Sequence, residues 1–234
     1  MRPSPAPKPE TLSYNPIELE FKFASEAPVA AMVAHCCDLL RVRLNVHAPS
    51  GIMVGCGTGD EVVYARRVFH TSRVFECDVE AQFSRRARAE GCVLLSDALR
   101  LPFAADTFDF ATAFHSLEHV SNARVALEEI ARVLQPGAWL YAGVPNRSRV
   151  LGYLGSFDAT LWQKISWNLA DWRARFSGTF RNETGAHAGF ERGELLSLLD
   201  KQFGEVRLLT EEFLRFKYVG RLPAPALDLL LSPL

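Results

Sequence analysis

Two stretches of this chain carry residue types that could do chemistry. "HSLEH" at 115–119 reads H-x-x-E-H, a pattern in which two histidines bind zinc and a glutamate activates water, provided one helix carries all three. Sixty residues upstream, "GCGTGD" at 55–60 places Gly55, Gly57 and Gly59 where a chain can turn tightly and bring its backbone against a ligand. Asp60 stands where the dinucleotide fingerprint G-x-G-x-x-G needs a third glycine, and its charge would repel a pyrophosphate. That disfavours a nicotinamide-dependent oxidoreductase. Two aspartates close apolar runs further on: Asp78 in "RVFECD" and Asp97 in "CVLLSD". A carboxylate at the first place can accept both hydroxyls of a ribose, and one at the second can accept from an exocyclic amine such as that of adenine. Singly, each glycine or aspartate also suits an ordinary turn or strand-end cap. Their succession on three strand ends is what points to a ligand site.

The elements that must position these residues can be read from hydrophobic periodicity. Apolar residues at helical spacing predict a helix over 27–44, with others over 60–69, through Arg88 and over 124–134. Short apolar runs predict strands at 51–55, 73–78, 92–97, 107–114, 139–145 and near 206–210. Strand and helix alternating at this pitch give an α/β, doubly wound, mostly parallel sheet with helices on both faces. Ligands of such sheets bind beyond the carboxyl ends of the strands. His115 comes directly after the "FDFATAF" strand, so it stands at a strand end rather than within a helix, and the zinc-protease geometry is not expected. A histidine there can serve as a general base, its pKa of about 6.5 being suited to the role. His187, in "GAHAGFERGELLSLLDKQFGEV", is the second candidate.

Composition sets the frame. A chain of 234 residues with 48% hydrophobic side chains buries one substantial core. Net charge of −1 carries no nucleic-acid footprint. Five cysteines without CxxC spacing suggest neither a disulfide framework nor a zinc knuckle. The start, "MRPSPAPKPE", is not a cleavable signal, and no run reaches the ~18 apolar residues of a bilayer span. A cytoplasmic protein without stable membrane insertion is expected, with residues 1–12 a disordered proline-rich extension and 13–234 a single domain. Within it, 147–182 carries Leu154, Phe157, Leu161, Ile165, Leu169, Trp172 and Phe176 at helical steps. This reads as a helical cap inserted over the site, its apolar face lining a substrate pocket. Simple packing on the core is the alternative for this stripe, and its tryptophans also suit a homodimer interface or a membrane-surface contact.

"GCGTG", "VFECD", "SDALRLPFAADTFDFATAFHSLEHV" and "EIARVLQPGAWLYAGVPN" occur in order between Ser50 and Asn146. In this the chain resembles the class I S-adenosylmethionine-dependent methyltransferases. The resemblance implies a Rossmann-like sheet of about seven strands. It implies that Gly55, Cys56, Gly57 and Gly59 wrap the methionine part of the cofactor, that Asp78 holds the ribose and Asp97 the adenine amine. Val79, Ala98 and Leu99 would lie against the ring, and His115 beside the sulfonium. The implied activity is methyl transfer to a small-molecule acceptor, at a hydroxyl oxygen. One departure is Met53, where the family usually carries an acidic residue that helps hold the cofactor's amino group. Asp60 is the substitute considered for it, and a non-catalytic binding or scaffold protein is the alternative that Met53 motivates. The segment also resembles quinone-type O-methyltransferases, in which an E-x-x-E-H arrangement is associated with a divalent metal. His115, Glu118 and His119 are the matching places. The preferred reading assigns no metal ligand: Glu118 caps or orients the next helix, and His119 packs.

Overall fold

The computed structural model describes residues 26–218, apart from 56, 155, 157–158 and 183–186, together with 222, 223, 225 and 228. The proline-rich extension and most of the C-terminal tail therefore lie outside the described residues. Five strands form one parallel sheet: β1 (Gly51–Val54), β2 (Val74–Asp78), β3 (Val93–Leu95), β4 (Phe108–Phe114) and β5 (Leu134–Gly143), in the order β3-β2-β1-β4-β5. The chain steps outward from β1 to β3, then crosses back to place β4 against the other side of β1. The switch point between β1 and β4 is where the carboxyl ends splay and a ligand fits.

Seven helices are described: α1 (Glu26–Arg41), α2 (Asp60–Phe69), α3 (Arg85–Ala89), α4 (Ala123–Val133), α5 (Leu161–Phe176), α6 (Arg192–Leu199) and α7 (Thr210–Tyr218). Two apolar cores flank the sheet. Val33, Cys37 and Leu40 of α1 pack with Val62, Val63 and Val68 of α2 on Val74 and Phe110. On the other face Leu127, Ile130 and Val133 of α4, with Leu199 of α6, pack on Ile52, Val54, Phe108 and Ala111. α4 forms because its apolar residues recur every three to four positions. Its start is marked by Asn122, whose side chain accepts from the Val125 N–H.

The sheet departs from sequence expectation in two places. Five strands are seen among the described residues rather than about seven, and 206–209 is extended without a ladder partner. Its alternating apolar pattern is real. But Val206, Leu208 and Leu209 face β5 across an open cavity, and the Leu209 carbonyl already accepts from the Phe213 N–H in the first turn of α7. "QPG" does not simply close α4 either: it lies inside β5, where the register jumps from Phe108↔Leu134 to Phe110↔Trp139. Pro136 has no N–H to give, and Gly137 supplies a φ of 83°, so the strand bulges there and resumes.

Ile130 has no exposed surface and sits at the centre of one core. Ile130→Ala is expected to lower the unfolding free energy by about 3 kcal/mol, from lost transfer energy and the cavity left behind. The shift of the urea midpoint at unchanged slope measures it.

Candidate functional site

The loop after β1 is pinned from both sides. Gly55 turns with φ 77° and donates its N–H to the Cys77 carbonyl at 2.8 Å. A Cβ on Gly55 would stand 2.2 Å from Ser116 Cβ, so the loops after β1 and β4 touch at the switch point and only glycine fits. Gly57 donates to Asp78 Oδ2 at 2.9 Å, and no atom lies within 4 Å of where its Cβ would be. That face of the loop is open to a ligand. Gly59 precedes α2 with φ 77°, close against Val93 and Ala87. Cys56 lies outside the described residues. Asp60 is held by two hydroxyls, Thr58 Oγ1 at 3.0 Å and Ser84 Oγ at 2.6 Å.

The two strand-end aspartates stand on neighbouring strands. Asp78 ends β2 opposite Leu95 of β3, and Asp97 comes two residues later. Besides the Gly57 bond, Asp78 Oδ1 accepts from the Glu80 N–H at 2.9 Å. Asp97 is exposed, its Oδ1 accepting from the Leu99 N–H at 2.9 Å. Each carboxylate thus orders its own loop and keeps further lone pairs for a ligand. Val79 is exposed, Leu99 half-buried and Ala98 buried, which leaves apolar surface beside both acids.

His115 closes β4 in the left-handed region, φ 52°, and donates its backbone N–H to the Gly143 carbonyl of β5 at 2.7 Å. Its ring packs edge-on to Phe114 at 4.7 Å. Nδ1 lies 3.3 Å from Glu118 Oε1, with the histidine half exposed and the glutamate buried. His119 Nε2 is 4.0 Å from the same oxygen, and the His119 ring stands edge-to-face with His187 at 4.7 Å. Burial and then the neighbouring His119 hold the His187 pKa below its ordinary value. The H-x-x-E-H string is therefore a turn after a strand, without the helix that zinc-protease chemistry needs. Among the described residues no group of three or more His, Cys, Asp or Glu side chains is arranged to hold a metal ion.

His115 and His187 both open into a cavity of about 1740 Å³. Its walls are β5, the 148–154 segment and the stretch from Phe203 to α7. That exceeds an ordinary small-ligand site of about 300–1,000 Å³, because the whole outer edge of β5 opens into it. The expected apolar lining does not come from α5. Leu161, Ile165, Leu169 and Phe176 point to solvent, and Val150, Leu151 and Leu154 ahead of the helix line the cavity instead.

Known proteins share this arrangement. A family model described as a methyltransferase domain matches residues 52–142, from β1 to the end of β5. Residues 52–142 are thus similar to a methyltransferase domain. The O-methyltransferase rstn1 of Aspergillus nomiae is 36% identical over 109 residues, 40% of this chain and 48% of that protein. The ubiquinone/menaquinone biosynthesis C-methyltransferase UbiE of Hydrogenovibrio crunogenus is 37% identical over 94 residues, 36% of this chain and 37% of that protein. The chain thus spans less than half the length of these relatives. In fold it is like a Galdieria sulphuraria protein, named as a candidate sarcosine dimethylglycine methyltransferase, with TM-score 0.51 at 17% identity over 88% of this chain and 72% of that one.

Methyltransferase domains of this class use S-adenosylmethionine, and the residues present fit it. The open Gly57 face, two strand-end carboxylates and the apolar surface beside them suit an adenosyl group. One acidic residue near Met53 was missed in the sequence reading. Met53 is buried, and a small cavity beside it is lined by Glu61, Thr112, Phe114 and Tyr141. Glu61, in the first turn of α2, is shielded there, and burial pushes its carboxyl up to about 6, with nearby His115 pulling it down. The sequence signal was faint: one more acid after Asp60, its inward direction set only by helix phase. The ordinary value for a glutamate is about 4.5, so the folded pKa of Glu61 is raised. Its stability contribution is full below about pH 4.5 and is lost as pH rises through about 6. Glu61→Gln removes that loss. Relative to wild type, the variant is expected to gain about 2 kcal/mol between pH 4 and pH 7, measured by urea unfolding across that range.

Proposed function

We propose that this methyltransferase domain transfers a methyl group from S-adenosylmethionine to a hydroxyl oxygen of a small-molecule acceptor. The observation that carries the reading is the convergence, on adjoining strand ends, of the open glycine loop, Asp78, Asp97 and a histidine facing a cavity. In this reading Asp78 accepts the ribose hydroxyls and Asp97 the adenine amine, with Val79, Ala98 and Leu99 against the ring. Gly55, Cys56, Gly57 and Gly59 enclose the methionine part. Glu61 supplies the negative charge that Met53 does not. Asp60, spent on Thr58 and Ser84, does not replace it.

When bound, the cofactor supplies an electrophilic methyl carbon on a sulfonium. Everything else falls to the chain. The reacting oxygen must be held in line at about 3–3.5 Å with water excluded. Glu118 Oε1, placed at His115 Nδ1, favours the tautomer with the proton on Nδ1. Nε2 is then free to take the acceptor's hydroxyl proton as the oxygen–carbon bond forms and the carbon–sulfur bond breaks. His187, kept neutral by burial, is the second base able to reach the cavity. The residues from 148 to 154 would cover the acceptor as a cap with α5 behind them. Cysteines 36, 37, 77 and 92 are free thiols, which suits the reducing cytoplasm.

The test is transfer of labelled methyl from S-adenosylmethionine to a panel of hydroxylated aromatic and aliphatic acceptors. The expected result is a methylated product whose formation His115→Ala slows by about 100-fold, the loss shrinking at high pH as acceptor hydroxyls ionise unaided. Cofactor binding without transfer to any acceptor would instead favour a non-catalytic binding protein.

A further inference from the structure

α5 is attached to the domain by its polar side. Lys164, Asn168, Asp171 and Arg175 recur every three to four residues and form one stripe. Three of them bind the preceding segment. Asn168 Oδ1 accepts from the Gly152 N–H at 2.7 Å, and its Nδ2 donates to the Gly152 carbonyl at 3.1 Å. Asp171 accepts from Arg149 at 2.9 Å and from Tyr153 Oη at 3.0 Å. Arg175 donates to the Arg149 carbonyl at 3.0 Å and lies over the Phe180 ring. The face beside this stripe carries Leu161, Trp162, Ile165, Leu169 and Phe176, and no residue of the helix is buried. Trp162 is 79% exposed, Leu169 65% and Phe176 85%. Val150 and Leu151, also exposed, continue this surface toward the cavity mouth. A surface helix of a globular domain normally turns its apolar face inward. This one is inverted.

Charge says what covers it. Over 147–182 the sequence holds six basic residues against two acidic ones, in a chain of net charge −1; Arg147 pairs with Glu194 and Arg149 with Asp171, so Lys164, Arg173, Arg175 and Arg181 carry the excess. An apolar face with tryptophan at its edge, in a locally cationic segment, complements an anionic bilayer surface. A second copy of this chain would bring cationic segments together. The helix has 16 residues, and no helix among the described residues is long and apolar enough to cross a membrane. We infer that α5 is an interfacial helix that docks the protein on an anionic lipid surface, lying in the plane of the headgroups with Leu161, Trp162, Ile165, Leu169 and Phe176 immersed. The inference needs no part of the methyl-transfer reading.

The test is co-sedimentation of the full chain with vesicles of phosphatidylcholine alone or mixed with phosphatidylglycerol, beside the combined variant Trp162→Ser, Leu169→Ser, Phe176→Ser. Wild type is expected to pellet with the anionic vesicles, less with neutral ones, and less as salt is raised. The combined variant should lose about tenfold or more in partitioning. Its thermal unfolding should stay unchanged, since the three side chains leave no core. Brominated lipid in the anionic vesicles should also quench wild-type tryptophan emission, a reading that needs no variant. The inference is overturned if wild type stays in the supernatant with both vesicles, if the combined variant pellets as well as wild type, or if emission is not quenched. A concentration-dependent dimer that the three substitutions abolish, without vesicle binding, would overturn it in favour of a second copy.

Discussion

The hydrogen bond from the Gly57 N–H to the Asp78 carboxylate joins the two halves of the site. It ties the loop after β1 to the end of β2, while Gly55 abuts Ser116 in the loop after β4. Three strand ends are thereby locked to one another at the sheet's switch point. Parallel pairing makes this achievable. β1 sits between β2 and β4 in register, so their carboxyl ends arrive at one level. The interior contributes a less obvious support. Glu76, fully buried in β2, accepts the Val62 N–H at 3.1 Å and so fixes the first turns of α2 to the sheet. The glycine loop is held at both ends by carboxylates that belong to the strand beside it.

Two more acids, buried Glu118 and half-buried Glu61, stand close to His115, each in a different setting. Glu118 is nearly inaccessible yet touches a half-exposed histidine, an arrangement in which the acid sets the orientation and tautomer of the ring while the ring meets the ligand. Glu61 lines a mostly apolar niche, and burial pushes its carboxyl up to about 6. Its negative charge is costly until a cation approaches. A sulfonium cofactor with an ammonium group is such a cation, so under the proposed function binding and the ionisation of Glu61 would reinforce each other.

Much of the site was legible because its residues sit at strand ends, and strand ends are marked by where apolar runs stop. Gly55, Asp78, Asp97 and His115 each come directly after such a run. Glu61 was not legible, because whether an acid in a helix's first turn faces solvent or a niche depends on α1 packing over it. The direction in which α5 turns its apolar face was not legible for a related reason. Periodicity shows that a helix has an apolar face, and only the polar anchors of Asn168 and Asp171 on 149–153 decide which way that face turns. The extended stretch at 206–209 has a strand's alternation, but a ladder needs a neighbouring edge within hydrogen-bonding distance, and β5 lies across the cavity from it.

The claim on which the rest turns is that the loop and the Asp78 carboxylate form one S-adenosylmethionine site. Calorimetric titration with S-adenosylhomocysteine, of wild type and Asp78→Ala side by side, tests it most directly. Micromolar binding is predicted for wild type and a loss of at least about tenfold for the variant, equivalent to about 1.4 kcal/mol, with thermal unfolding little changed. Absence of binding by folded wild type, or equal affinity in the two proteins, would contradict it.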